Sequence, residues 1–307
     1  MRIGSLPSRV HLTDVGPRDG LQNEKQPVPA AVKIELVQRL QAAGLNDIEV
    51  TSFVSPKWVP QMADNAEVMR GIARKGDVRY AVLVPNMQGL EAALAARADT
   101  VVVFGAASEA FSQRNINCSI AESIERFRPV VAAALAAGVA VRGAISCAVG
   151  CPYEGAVAPE RVGLVAGLMR DIGVQQVSVA DTIGIGTPHT VRAALEAVLQ
   201  HFSIDAVIGH FHDTYGQALA NTLAALEMGV WHFDTSVAGL GGCPYAKGAT
   251  GNVATEDVVY MLHGMGIKTG IDLDALVDAG AYISRFLNRP TLSRAATALL
   301  AKRQRTT

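Results

Sequence analysis

No apolar run in the 307-residue chain approaches the roughly 20 residues that a membrane helix needs. Charge of one sign is missing too: the formal net charge is -1 and 18% of residues are charged. Lys and Arg are spread along the chain, without a basic stripe for nucleic acid or a polybasic patch for a membrane surface. The start, MRIGSLPSRVHLTD, has no apolar core long enough for a secretory signal, and the end, RQRTT, is not a peroxisomal address. Together these absences predict a cytoplasmic protein without nucleic-acid or membrane partners. Cysteine is sparse: Cys118, Cys147, Cys151 and Cys243 include no CxxC pair, and Cys147 and Cys151 lack the second pair of a zinc ribbon. Reduced thiols are expected. Linkers, low-complexity tracts and a GxGxxG after the first strand-like run are also lacking.

Half of the residues are hydrophobic, enough for a sizeable core, and they are laid out in alternation. Short β-branched runs fall near Val10–Val15, Asp47–Phe53, Arg79–Val84, Thr100–Phe104, Ala140–Ser146, Gln176–Ala180, Ala206–His212 and His232–Val237. Longer amphipathic segments lie between them, among them Pro29–Ala43, Ile120–Ala137, Pro159–Ile172, Pro188–His201 and Gly216–Met228. Several open with Ser, Thr, Asn or Pro and close at Gly44, Gly138 or Gly173. Eight such units, the last helix near Ala254–Gly266, predict an α/β fold: a (β/α)8 TIM barrel over residues 8–266. A doubly wound open sheet is the alternative, without its glycine fingerprint. Residues 267–307 predict a short C-terminal helical extension packed on the barrel, clearest over Asp272–Phe286.

Chemistry in such barrels sits at the C-terminal ends of the strands. The first run exits into Arg18 and Asp19, between a Gly-Pro and a Gly. The second carries Glu49 among apolar neighbours, where a carboxylate is costly unless paired; Arg18 on the adjacent strand is the obvious partner. The seventh ends in Gly209-His-Phe-His-Asp213. Residues two apart in a strand share a side, so His210 and His212 both face the mouth. A lone core histidine is usually structural, but two at this spacing favour a divalent ion with oxygen co-ligands over a structural zinc. The eighth leads into Gly239, Gly241 and Gly242, which suit a mobile loop carrying Cys243, or an ordinary glycine-rich turn with an idle thiol. Asn252 follows, its amide oxygen a further possible ligand. Closure of the barrel would bring Asp19, His210, His212, Asn252, Arg18, Glu49 and Cys243 into one sector. Gln22, Ser52, Asn115, Ser178 and Asp181 are weaker candidates for substrate contacts, with Asn86. Ser146 and Thr182 fit capping roles equally well, and Arg114 and Lys247 could meet an anion or solvent.

At these residues the sequence resembles the 3-hydroxy-3-methylglutaryl-CoA lyase family, one of the metal-dependent Claisen-type lyases and synthases built on (β/α)8 barrels. The resemblance runs over roughly residues 8–300 and is most specific in SVAGLGGCPY at 236–245, then VGPRDGLQNE at 15–24, with HFHDTYG at 210–216 shared more broadly. It implies cleavage of 3-hydroxy-3-methylglutaryl-CoA, an acyl-CoA substrate, to acetyl-CoA and acetoacetate, in leucine breakdown. It further implies Arg18 as the catalytic cation, Asp19, His210, His212 and Asn252 as ligands of Mg²⁺ or Mn²⁺, and His210 or Asp19 in proton transfer. Glu49 would organise the arginine, and Cys243 would be the thiol on the mobile loop. Without a transit peptide, the chain looks like a bacterial-type cytosolic member, expected as a homodimer or higher homo-oligomer. The same residues would serve a lyase for a longer or differently branched acyl chain. They would also serve a Claisen-condensing acyltransferase, although those are usually longer.

Overall fold

The structure, a computed structural model, describes residues 6–242 and 251–305. Eight parallel strands close into a barrel: β1 His11–Asp14, β2 Asp47–Ser52, β3 Arg79–Leu83, β4 Thr100–Ala106, β5 Ala140–Ser146, β6 Gln176–Asp181, β7 Val207–Phe211 and β8 His232–Thr235. Each pairs with its sequence neighbours, and closure comes from β8 alongside β1, with His11 opposite His232 and Asp14 opposite Thr235. β4, TVVVFGA, is β-branched and almost wholly buried, as expected of a strand covered on both faces.

The outer layer holds α1 Ala30–Ala42, α2 Asn65–Gly71, α3 Met87–Ala95, α4 Glu109–Ile116, α5 Ile120–Ala136, α6 Pro159–Asp171, α7 Pro188–Leu199, α8 Ala218–Glu227 and α9 Thr255–Gly264. Local chemistry sets their ends. Ser119 and Glu122 form a capping box that starts α5, and Pro159 and Pro188 occupy the first positions of α6 and α7. α4 and a two-residue antiparallel hairpin, Gly150–Cys151 with Gly155–Ala156, have no counterpart in the runs expected from sequence. Both are too short to show a hydrophobic period; α4 is announced only by its cap, Ser108.

Past the barrel lie α10 Leu273–Phe286 and α11 Arg294–Gln304. α10 buries Leu276, Val277, Ala279, Gly280 and Ile283, and Leu276, Ala279 and Ile283 belong to the same apolar core as the barrel and its helices. A smaller apolar cluster, Ala81, Leu83 and Val102 with Val54, Phe104 and Ala144 against it, stands apart from that core. Among the described residues no helix is long and apolar enough to cross a membrane.

Candidate active site

The chain leaves β1 through a wide helical turn, Gly16–Gly20. There the Val15 carbonyl accepts from the amides of Arg18 (3.2 Å), Asp19 (2.8 Å) and Gly20 (3.1 Å). Turns of this kind recur at functional sites, and this one delivers Arg18 and Asp19 to the barrel mouth. The Arg18 guanidinium is buried and held by two carboxylates. Nε and Nη2 donate to the two Glu49 oxygens at 2.8 and 2.9 Å, and Nη1 donates to Asp19 Oδ1 at 2.9 Å. Burial alone would favour the neutral guanidine, but the charges of Glu49 and Asp19 outweigh it and hold Arg18 cationic. Burial likewise opposes ionisation of Asp19. Arg18 and the two imidazoles prevail and hold its carboxyl below the ordinary value.

β7 and the residue just past its end place His210 and His212 together, Nε2 to Nε2 at 3.4 Å. Ligand atoms of Asp19, His210 and His212 all lie within 4.8 Å of one another. Asn252, backbone-bridged to His212, donates from Nδ2 to Asp19 Oδ2 at 2.8 Å. Its Oδ1 is buried without a hydrogen-bond partner among the described residues, as is His212 Nδ1. Burial, then the charge of His210, lowers His212 to about 4, so it is a neutral imidazole near pH 7, the form that binds a metal. A carboxylate and two imidazoles with ligand atoms this close, beside the Asn252 amide, fit a divalent cation.

A second trio, His11, Asp47 and His232, also has close ligand atoms, at the N-terminal end of the barrel. There Arg79 donates to Asp47 Oδ2 at 2.9 and 3.2 Å, and His232 Nε2 is taken by Thr13 Oγ1 at 2.8 Å. Its cation is already present, so this trio reads as an ion-paired floor.

The mouth opens into a cavity of about 940 Å³. Arg18, Asp19, Glu49, His210 and His212 line it, as do Gln22, Asn115 and Ser178; Ser52 and Asp181 do not. The Ser52 hydroxyl accepts from the Val54 amide at 3.1 Å. Asp181 is spent on the turn that follows β6, accepting from Ile185 and Gly186 amides at 3.1 and 2.8 Å, and burial pushes it up to about 6. Asn86 caps α3 through the Gly89 amide at 2.9 Å and also lines the cavity. Ser146 and Thr182 lie on the wall too, with Thr182 Oγ1 accepting from the Cys147 amide at 2.7 Å. Arg114 lines the cavity with its guanidinium 4.4 Å over the Tyr153 ring. Cys243 and Lys247 lie outside the described residues; the other three cysteines are buried.

Two residues that sequence reasoning passed over, Arg142 and Asp234, also line the cavity. Asp234 on β8 accepts from Arg142 Nη2 at Oδ1, and from Ser178 Oγ at Oδ2 (2.7 Å). The same Oδ2 is 3.1 Å from His210 Nδ1. Burial opposes the Asp234 charge, but Arg142 overrides it and holds the carboxyl well below the usual carboxylate range. The signal was there: a charged residue amid a strand-like run, the cue that singled out Glu49, also marks Arg142 in AVRGAIS and Asp234 in HFDTSV.

The base of the glycine loop is clamped. Ala238 has a left-handed backbone (φ 57°), a strained state for a residue with a Cβ. Its amide donates to both Glu256 oxygens at 3.0 Å, and its carbonyl accepts from the Leu292 amide at 3.0 Å. A Cβ at Gly280 on α10 would stand 2.4 Å from Glu256 Oε1. Further on, Gly241 (φ +130°) and Gly251 touch: a Cβ at 251 would meet the Gly241 carbonyl carbon at 2.7 Å.

The family profile HMGL-like matches residues 9–283. A Pseudomonas aeruginosa protein named 3-hydroxy-3-isohexenylglutaryl-CoA/hydroxy-methylglutaryl-CoA lyase is 60% identical, over 97% of this chain and 99% of that one. The Bos taurus mitochondrial hydroxymethylglutaryl-CoA lyase is 57% identical, over 96% of this chain and 91% of its own length. A crystal structure of hydroxymethylglutaryl-CoA lyase from Pseudomonas aeruginosa superposes with a TM-score of 0.95 at 60% identity, covering 97% of this chain and 99% of that one.

Two predictions follow from this geometry. Removing one member of a buried ion pair strands the other, at a cost of about 3–5 kcal/mol. Glu49→Ala is therefore expected to lower the urea midpoint by that equivalent, and Arg18→Met/Glu49→Met to recover part of it. A double variant no more stable than Glu49→Ala would show that the pair does not share its burial. The second concerns Glu256, which burial raises from 4.5 to about 8. The folded state keeps this proton to higher pH than the unfolded chain. Its contribution is therefore full below pH 4.5 and is lost as pH rises through about 8, at up to about 1.4 kcal/mol per pH unit. Glu256→Gln should flatten stability against pH over that window; superimposable profiles would remove Glu256 as the titrating group.

Proposed function

The chain belongs to the HMGL-like family, and on that premise we propose that the barrel mouth works as the active site of a lyase that splits 3-hydroxy-3-methylglutaryl-CoA into acetyl-CoA and acetoacetate. The observation that carries this reading is the buried Arg18, gripped by both Glu49 oxygens and set beside Asp19 at the cavity wall. The reaction needs the C3 hydroxyl to lose its proton while the C2–C3 bond breaks and its electrons pass into the thioester. Arg18 offers a fixed cation for the charge that develops on the thioester oxygen, worth roughly 3–4 kcal/mol by analogy with an oxyanion-hole donor. Glu49 fixes that guanidinium in place. Asp19 and His210 are the candidates to take the hydroxyl proton, His210 only through an Nε2 lone pair that no cation holds. The carbon freed at C2 then takes a proton, for which Cys243 is the proposed donor. Asp19, His210, His212 and Asn252 would hold a divalent ion, Mg²⁺ or Mn²⁺, which when bound supplies Lewis acidity toward a substrate oxygen. Gln22, Asn115 and Ser178 are the proposed substrate contacts on the wall, and Ser52 and Asp181 support it from behind. The proposal is completed by a role in leucine degradation, a cytoplasmic location and a homodimeric or larger assembly.

A second reading is favoured by the apolar side of the cavity. Leu83, Val102, Phe104 and Ala144 line it opposite the charged groups, and offer room for a C3 substituent longer than methyl. The Pseudomonas aeruginosa relative carries both activities in its name.

The deciding measurement is acetoacetate released from 3-hydroxy-3-methylglutaryl-CoA with Mg²⁺ or Mn²⁺, and again after EDTA. Metal-dependent release is expected. Release indifferent to EDTA would remove the metal from the reaction, and metal binding without release would turn attention to longer 3-hydroxyacyl-CoA thioesters. Arg18→Gln should fold and bind metal but lose at least about 10²-fold in kcat; near-normal turnover would take Arg18 out of the chemistry.

A further inference from the structure

His210 must present a lone pair on Nε2 if it is to face a cation beside Asp19 and His212. A neutral imidazole does so only in the tautomer with the proton on Nδ1. What fixes that choice is whatever Nδ1 touches, and among the described residues its hydrogen-bond partner is Asp234 Oδ2, at 3.1 Å. The surroundings of that carboxylate leave it no freedom. Arg142 Nη2 donates to Oδ1. Ser178 Oγ donates to Oδ2 at 2.7 Å, and itself accepts from Arg142 Nη2 at 2.8 Å and Nε at 3.2 Å. Arg142 Nη1 is 3.4 Å from Thr13 Oγ1. Arg142, Ser178 and Asp234 are all buried, so neither a rotamer change nor solvent competes. An acceptor locked on that side obliges Nδ1 to donate.

We infer that Asp234 is a positioning residue for His210: with Arg142 and Ser178 it fixes the ring's orientation and the Nδ1–H tautomer, and so directs the Nε2 lone pair into the mouth. The inference rests on reading Asp19, His210 and His212 as a metal site. Carboxylates that accept from a ligating imidazole typically change metal affinity about 10–100-fold when lost.

The geometry gives Asp234→Asn a specific consequence. Arg142 can face only the oxygen of the new amide, because an NH₂ there would oppose its own N–H groups. The NH₂ must then point at His210 Nδ1 and Ser178. Nδ1 becomes an acceptor, the ring proton moves to Nε2, and it blocks the ligand position. Adding Arg142→Met frees the amide to turn its oxygen back toward His210.

The test uses the full-length, metal-free protein with ¹⁵N-labelled histidine, at a pH high enough to keep the ring neutral. Long-range ¹H–¹⁵N spectra read the tautomer, and His210→Gln assigns His210 among the seven histidines. Calorimetry with Mn²⁺ reads affinity. Wild-type protein should show Nδ1 protonated. D234N should show the proton on Nε2 and bind Mn²⁺ about 10–100-fold more weakly. R142M/D234N should regain the Nδ1–H form and most of the affinity. A wild-type ring protonated on Nε2, or an unchanged tautomer and affinity in folded D234N, overturns the inference. If D234N does not fold, the wild-type tautomer alone decides. Failure of wild-type protein to bind Mn²⁺ would instead sink the metal-site reading, and leave the tautomer measurement in the metal-free protein to judge Asp234 by itself.

Discussion

A guanidinium taken out of water is costly unless a carboxylate meets it, and losing that partner strands the charge. This barrel buries two at its heart. Arg18 is met by Glu49 and Asp19, and Arg142 by Asp234 with help from Ser178 and Thr13. The pairs feel one another, since Asp234 adds to the field at Arg18 and Glu49 to that at Arg142. Asp19 and His210 are the outer members of these two chains. The mouth is thus held from both sides by charge that cannot relax into solvent.

Stability and chemistry are therefore hard to separate in this molecule. The residues that face the substrate cavity are also those that would be stranded if a neighbour were lost. That makes the site rigid, and rigidity is what an electrostatic catalyst needs, because donors already in place do not reorganise as charge develops.

Much of this was legible in the chain. Eight β-branched runs gave the barrel, since a strand covered by helices on one face and barrel interior on the other must be apolar almost throughout, as β4 is. The spacing of His210 and His212 gave their common direction, and Glu49 stood out as an acid among apolar neighbours. Arg142 and Asp234 carry the same kind of signal but sit on β5 and β8, which are not neighbours in the barrel. Their partner depends on a register across the barrel that local pattern does not encode. Asp181 illustrates the converse. It sits at the end of its strand, but two backbone amides two to three residues past Ile183 claim it, and only the path of the turn reveals that. The left-handed Ala238 is equally silent in sequence, because nothing about an alanine announces a strained backbone.

The contact between Gly241 and Gly251 has a bearing on how such proteins can vary. The chain departs and returns at one point, beside Asn252, and the departure is braced by Glu256 and Leu292. Because those two ends are already pinned together, lengthening the excursion between them would add only about 0.6 kcal/mol of closure entropy per doubling. Insertions and deletions there would leave Asn252 and Asp19 where they stand. The neck holds Asn252 and Asp19 in register whatever the length of chain between the two glycines.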